Sequence, residues 1–147
     1  LYNYGNQCNE ITGGWEIGHY TDANEEYCNS AFNSDNIWLY TYGHKAVVGT
    51  VNIGAITKNR VDLSNYNKLC VEHTTNIRIN IMANISPIEN KYMAENSNIG
   101  YFEGGKGEHS VDEINISNLS GNYYLGIYVN STDAYASTTN MYKMWLE

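Results

Sequence analysis

Short runs of β-branched and aromatic residues recur along this chain between clusters of Gly, Asn, Asp and Ser, and no stretch carries a convincing helical period. The runs predict strands at Trp15–Tyr20, Asn36–Tyr42, Lys45–Val51, Ile56–Val61, Lys68–Thr74, Ile77–Ala83, Ile99–Glu103, Val111–Ile116, Tyr123–Val129 and Met141–Glu147. Several alternate cleanly. Tyr123, Leu125, Ile127 and Val129 fall on one face of their run, and Tyr124, Gly126 and Tyr128 on the other. In the last run Tyr142, Met144 and Leu146 alternate with Lys143, Trp145 and Glu147. Alternation of this kind belongs to antiparallel sheets with one face in a core. About ten such strands predict an all-β, two-sheet antiparallel β-sandwich of jelly-roll type. Pro87 lies in the connection from Ile85 to Ser97, read as loop or a short helical turn, and Glu103-Gly-Gly-Lys-Gly reads as a hairpin turn. With no internal repeat and no linker, residues 1–147 are expected to form a single binding domain.

Composition narrows the function classes. The chain has 147 residues, of which only 16% are charged, and its polar character comes from Asn, Ser, Thr, Gly and fourteen Tyr. Lys and Arg number 8 against 16 Asp and Glu, for a formal charge of −8. Phosphate backbones and anionic lipids would repel such a surface, so neither nucleic acid nor membrane insertion is expected. No apolar run reaches transmembrane length and no signal-peptide pattern is present; the start at Leu1 without Met reads as a mature or excised piece, in an extracellular or virion setting. The three cysteines give an odd count. A Cys8–Cys28 disulfide would close a loop of about twenty residues and contribute roughly 3 kcal/mol. The alternative is three reduced thiols. The cysteines and histidines show no zinc spacing.

Catalytic motifs are not legible. His19, His44, His73 and His109 are scattered, Gly-x-Ser-x-Gly is missing, and Gly104-Gly105-Lys106-Gly107 lacks the span of a phosphate-binding loop. Glu25, Glu26, Glu108, Asp112 and Glu113 read first as solvated surface charge. The chain is therefore expected not to be an enzyme and to need no cofactor. One metal reading stays open. Asp22, Asn24 and Glu26 place oxygen ligands at alternate positions, but Tyr27 and Asn33 stand where an EF-hand requires Gly and Glu. That leaves a looser structural calcium site on the sandwich loops.

The aromatic residues carry the strongest lead. Trp38, Tyr40 and Tyr42 follow one another at period two, with Ile37 and Leu39 on the opposite face. Tyr124 and Tyr128 stand opposite Leu125 and Ile127, and Trp145 opposite Met144 and Leu146. If the aliphatic faces form the core, these six aromatics sit on outer sheet faces, where large exposed apolar patches mark binding sites or subunit contacts. Sugar rings stack on Trp and Tyr, and Asn36, Asn122 and Asn130 lie near enough in sequence to bond their hydroxyls. The expected carbohydrate-binding set is Trp38, Tyr40, Tyr42, Tyr124, Tyr128, Trp145, Asn36 and Asn130. Plain cross-strand packing, with the aromatics turned inward, is the competing reading.

Three segments resemble one family. Val61-Asp-Leu-Ser-Asn-Tyr-Asn-Lys-Leu69, Val111-Asp-Glu-Ile-Asn-Ile-Ser-Asn-Leu-Ser-Gly-Asn-Tyr-Tyr-Leu-Gly-Ile127 and Tyr142-Lys-Met-Trp-Leu146 are similar, in order and form, to galactose-binding-like jelly rolls of the carbohydrate-binding-module type. The opening Leu1-Tyr-Asn-Tyr-Gly-Asn-Gln-Cys-Asn-Glu-Ile-Thr-Gly-Gly-Trp15 resembles the start of domains in phage tail and surface proteins of low-GC Gram-positive bacteria. The resemblance implies glycan or cell-surface recognition on loops or a concave sheet face, and puts Cys70 at an exposed strand position. Two functions follow as expectations. One is a non-catalytic module that binds a glycan or cell-surface polysaccharide, within a larger secreted or phage receptor-binding protein. The other is a structural or oligomerisation domain of a virion or tail fibre, a homo-oligomer with its aromatics buried between subunits.

Overall fold

A computed structural model describes residues 1–21, 28–42, 51–85, 98–131 and 136–147. In chain order the elements are β1 (Tyr2–Asn3), α1 (Asn9–Thr12), β2 (Trp15–Thr21), β3 (Cys28–Phe32), β4 (Ile37–Tyr42), β5 (Val51–Thr57) and β6 (Val61–Asp62). There follow β7 (Lys68–Thr75), β8 (Ile79–Asn84), β9 (Asn98–Phe102), β10 (Ser110–Asn115), β11 (Asn122–Ser131) and β12 (Ala136–Leu146). Two antiparallel sheets form the expected sandwich. Sheet I runs β10-β7-β12-β4-β3, with β1 added to β12; sheet II runs β2-β5-β11-β8-β9, with β6 added to β11.

One core fills the space between the sheets. Ile37 and Leu39 of β4, Leu69 and Val71 of β7, and Met141 and Met144 of β12 come from sheet I. Ile53 and Ala55 of β5, Ile79 and Ile81 of β8, and Leu125, Ile127 and Val129 of β11 meet them from sheet II. Period-two patterning is the cause: each of these strands places alternate residues on the inner face. Some polar groups on that face pair with one another or with the backbone. Thr75 and Thr139 share a hydroxyl hydrogen bond of 2.7 Å, and the Leu125 N–H donates to Thr57 Oγ1 at 3.0 Å.

The predicted strands at Trp15–Tyr20, Asn36–Tyr42, Lys68–Thr74, Ile77–Ala83, Ile99–Glu103, Val111–Ile116 and Tyr123–Val129 reappear as β2, β4, β7, β8, β9, β10 and β11 with small shifts at their ends. The predicted run Ile56–Val61 is broken. Ile56 and Thr57 end β5, and Lys58 and Asn59 then turn away so that their N–H groups donate to Gly14 O and Thr12 O before Val61 enters β6. Most of the predicted strand Lys45–Val51, all but the first residue of the connection Ile85–Ser97, and the calcium-like segment Asp22–Glu26 lie outside the described residues. No disulfide joins Cys8, Cys28 or Cys70. Cys70 is buried, not exposed as the resemblance implied, at a position opposite Trp145 on β12.

The N-terminal segment is fastened to sheet I at Gly5. Its φ is +86°, and a Cβ there would collide with the backbone carbonyl of Ser34 in the β3–β4 turn. Gly5→Ala therefore combines left-handed backbone strain with a clash against an immobile atom. A loss of about 2 kcal/mol or more is expected, measured as a lower thermal midpoint. An unchanged midpoint would mean that this segment is not fastened there.

Candidate functional site: the outer face of sheet I

β4 turns Ile37, Leu39 and Thr41 fully inward, and this sends Trp38, Tyr40 and Tyr42 to the outer side, where all three stay partly exposed. Their described cross-strand neighbours are short and uncharged. On β3, Ala31 stands opposite Trp38 and Asn29 opposite Tyr40; on β12 the partners are Asn140, Thr138 and Ala136. Nothing at these positions is large enough to cover the rings. Trp38 and Tyr40 stack with centroids 5.9 Å apart and an interplanar angle of 27°. Asn36 sits at the foot of this ladder, but its amide serves the turn: it donates to Asp35 Oδ1 at 2.9 Å and accepts from Asn33 Nδ2 at 3.0 Å.

The face continues through a second aromatic group. The register of β12 against β7 shifts between Met141 and Lys143, and a bulge of this kind breaks strict alternation. Tyr142 consequently joins Lys143 on the outer side. His109 stacks on Tyr142 with centroids 3.9 Å apart, and Tyr4, 46% exposed, packs beside both rings. Glu72 on β7 lies at the base of the group. Its Oε1 accepts from the Tyr4 hydroxyl at 2.6 Å and lies 2.7 Å from His109 Nδ1. Burial alone would raise the Glu72 carboxyl, but the hydrogen bonds from Tyr4 and His109 outweigh it and hold the group below its usual range. The same contact raises the Tyr4 hydroxyl, whose bond to Glu72 is the main cause.

Trp145 ends the face. Lys143 Nζ lies 4.8 Å from its ring centroid, and its indole N–H donates to Glu147 Oε1 at 2.8 Å.

The sequence had grouped six aromatics as one surface, and the fold corrects this. Trp38, Tyr40, Tyr42 and Trp145 belong to sheet I, while Tyr124, Tyr128 and Asn130 lie on β11, in sheet II, on the opposite side of the sandwich. Tyr128 is only 5% exposed and packs with Ile56 and Met82 in a separate small cluster, against which Tyr124 rests. Asn98 donates to the Tyr128 hydroxyl and to Asn80 Oδ1, both at 3.4 Å. Asn130 is exposed and faces Asn52. Tyr4, His109, Tyr142 and Asn140 were missed: Tyr4 and His109 lie outside any alternating run, at φ of 45° and 53°, and the bulge conceals the facing of Tyr142. Among the described residues no group of three His, Cys, Asp or Glu converges to hold a metal ion, and no helix is long and apolar enough to cross a membrane.

No protein-family model matches the sequence, and no curated protein matches it. Solved structures do share its fold. A family 29 carbohydrate-binding module aligns over 90% of this chain and 80% of its own, at 6% identity and a TM-score of 0.55. A carbohydrate-binding module, TmCBM61, solved in complex with β-1,4-galactotriose, aligns over 100% of this chain and 99% of its own, at 12% identity and a TM-score of 0.53. The glycoside hydrolase domain of Endo-D from Streptococcus pneumoniae R6 aligns over 90% of this chain at 11% identity and a TM-score of 0.61, and this chain spans 22% of it. The fold is thus the sandwich of carbohydrate-binding modules, as the sequence resemblance implied.

Proposed function

We propose that this domain is a non-catalytic glycan-binding module whose ligand lies along Trp38, Tyr40 and Tyr42. The observation that carries the reading is the ladder itself: three partly exposed aromatic rings on one strand face, whose described cross-strand neighbours are Ala, Asn and Thr. A pyranose ring has an apolar C–H face and an edge of hydroxyls. Stacking on Trp and Tyr removes apolar area from water. The amides of Asn29 and Asn140 and the hydroxyl of Thr138 stand beside the rings to pair hydroxyls that lose their water. Carbohydrate-binding modules among the fold neighbours, one solved with galactotriose, support the same reading. The uncharged border and the formal charge of −8 favour a neutral glycan over an anionic one. The wider setting we infer is a larger secreted or phage receptor-binding protein acting outside the cell or on a virion.

Truncating an aromatic anchor at the centre of a binding patch costs about 2 kcal/mol, roughly thirtyfold in Kd. Trp38→Ala is expected to weaken glycan binding by about that factor in calorimetric titration, with the thermal midpoint little changed. Light scattering tests the competing assignment. A stable oligomer that dissociates in Trp38→Ala, with no glycan bound by either form, would make the ladder a subunit interface instead.

A further inference from the structure

Beyond the ladder, at the Trp145 end of the molecule, lies a groove of about 390 Å³. That is within the size range of small-molecule sites, roughly 300–1,000 Å³. Leu1, Ile11, Val61 and Leu146 form apolar walls, and Tyr66 and Trp145 add aromatic ones. Ile11 and Tyr66 are 55% and 39% exposed, so this apolar surface faces solvent. The one carboxylate among the lining residues is Asp62. The Ser64 hydroxyl and N–H both donate to Asp62 Oδ1, at 2.7 and 2.9 Å, and they hold the carboxyl below its usual range. Among the described residues no Lys, Arg or His forms an ion pair with it; its hydrogen-bond partners are the two Ser64 groups.

These features define what would fit. An anion would meet Asp62 and a chain of formal charge −8. A wholly apolar occupant would strip water from an ionised carboxylate and give it no partner. A cation with an apolar body satisfies both walls and carboxylate, since aromatic faces attract ammonium groups. Trp145 already holds the Lys143 ammonium near its ring. We infer that this groove is a second ligand site, distinct from the glycan ladder, that takes a small organic cation such as a quaternary ammonium.

The test is a titration of the whole chain with choline chloride, followed by NMR at the Trp145 indole N–H, with sodium chloride at matched ionic strength as control. Saturable shifts at Trp145 are expected with choline and not with sodium. Asp62→Asn should weaken the response roughly fivefold. Trp145→Ala should abolish it, read at neighbouring backbone amides, while Trp38→Ala leaves it intact and so keeps this site's failure separable from the ladder's. Equal responses to choline and sodium would overturn the assignment. So would unchanged choline affinity in a folded Asp62→Asn, or tighter binding of neutral methyl galactoside at the same indole.

Discussion

Leu39→Ala is expected to cost about 3 kcal/mol, and to lower the thermal midpoint of this 147-residue chain by roughly 10 °C. Leu39 has no exposed surface and lies in the core that joins both sheets, on a strand paired on each side by β3 and β12. Removing its side chain loses the transfer energy of the missing methyl and methylene groups and leaves a cavity that flanking strands cannot collapse into. Its neighbours Trp38 and Tyr40 point the other way. Their truncation forfeits mainly one ring contact between neighbours on the same strand face, about 1 kcal/mol. One strand therefore carries stability on its odd-numbered positions, and on the proposed function it carries recognition on its even-numbered ones. Thermal melts of the three alanine variants check this, and a Trp38→Ala as unstable as Leu39→Ala would place the ladder in the core.

Asp112→Ala is expected to be comparably damaging for an electrostatic reason. His73 is buried on the inner side of sheet I, stacked parallel to Phe102 at 5.8 Å, with Nε2 2.9 Å from Asp112 Oδ2. The other oxygen of Asp112 accepts from Lys106, and His73 Nδ1 has no partner. Asp112 is thus the polar anchor of a buried ring, and losing it leaves that ring desolvated and unpaired, a cost of about 3 kcal/mol. Burial alone would raise the Asp112 carboxyl, but the bonds from Lys106 and His73 hold it below its usual range. A depressed carboxyl stabilises the fold above its unfolded value, about 3.9, and that stability is lost as pH falls through the lower folded value. Denaturant unfolding from pH 7 to pH 2 should show this acid-linked step in the parent protein and a smaller one in Asp112→Ala. Parallel pH profiles would assign the acid sensitivity elsewhere.

The parts of the fold that were legible are those in which large side chains alternate. β4 and β11 declare both faces because Ile37, Leu39, Leu125 and Ile127 fall on one side and rings on the other. β3 could not be read this way. Cys-Asn-Ser-Ala-Phe has no such contrast, and it becomes a strand because the turn at Asn33–Asn36 returns the chain along β4. The first half of β12 was hidden for a related reason: its inward residues are Ser137 and Thr139, small polar groups that fill narrow space in the core. The binding surface was legible as a residue class but not as a place. Which sheet a strand joins depends on pairings between segments far apart in sequence, so β11 and β4 looked alike although they lie on opposite sides. The Tyr4–His109–Tyr142 group needs three such pairings and a bulge, and no local pattern announces it.

Sheet I is proposed to bind a neutral glycan through its β4 ladder. A broad array of neutral and acidic glycans, probed in parallel with the parent chain, Trp38→Ala and Tyr124→Ala, tests it most directly. Binding to neutral glycans by the parent chain is expected, with loss of that signal in Trp38→Ala and its retention in Tyr124→Ala. A signal kept by Trp38→Ala and lost by Tyr124→Ala, or no glycan bound by the folded parent chain, would contradict it.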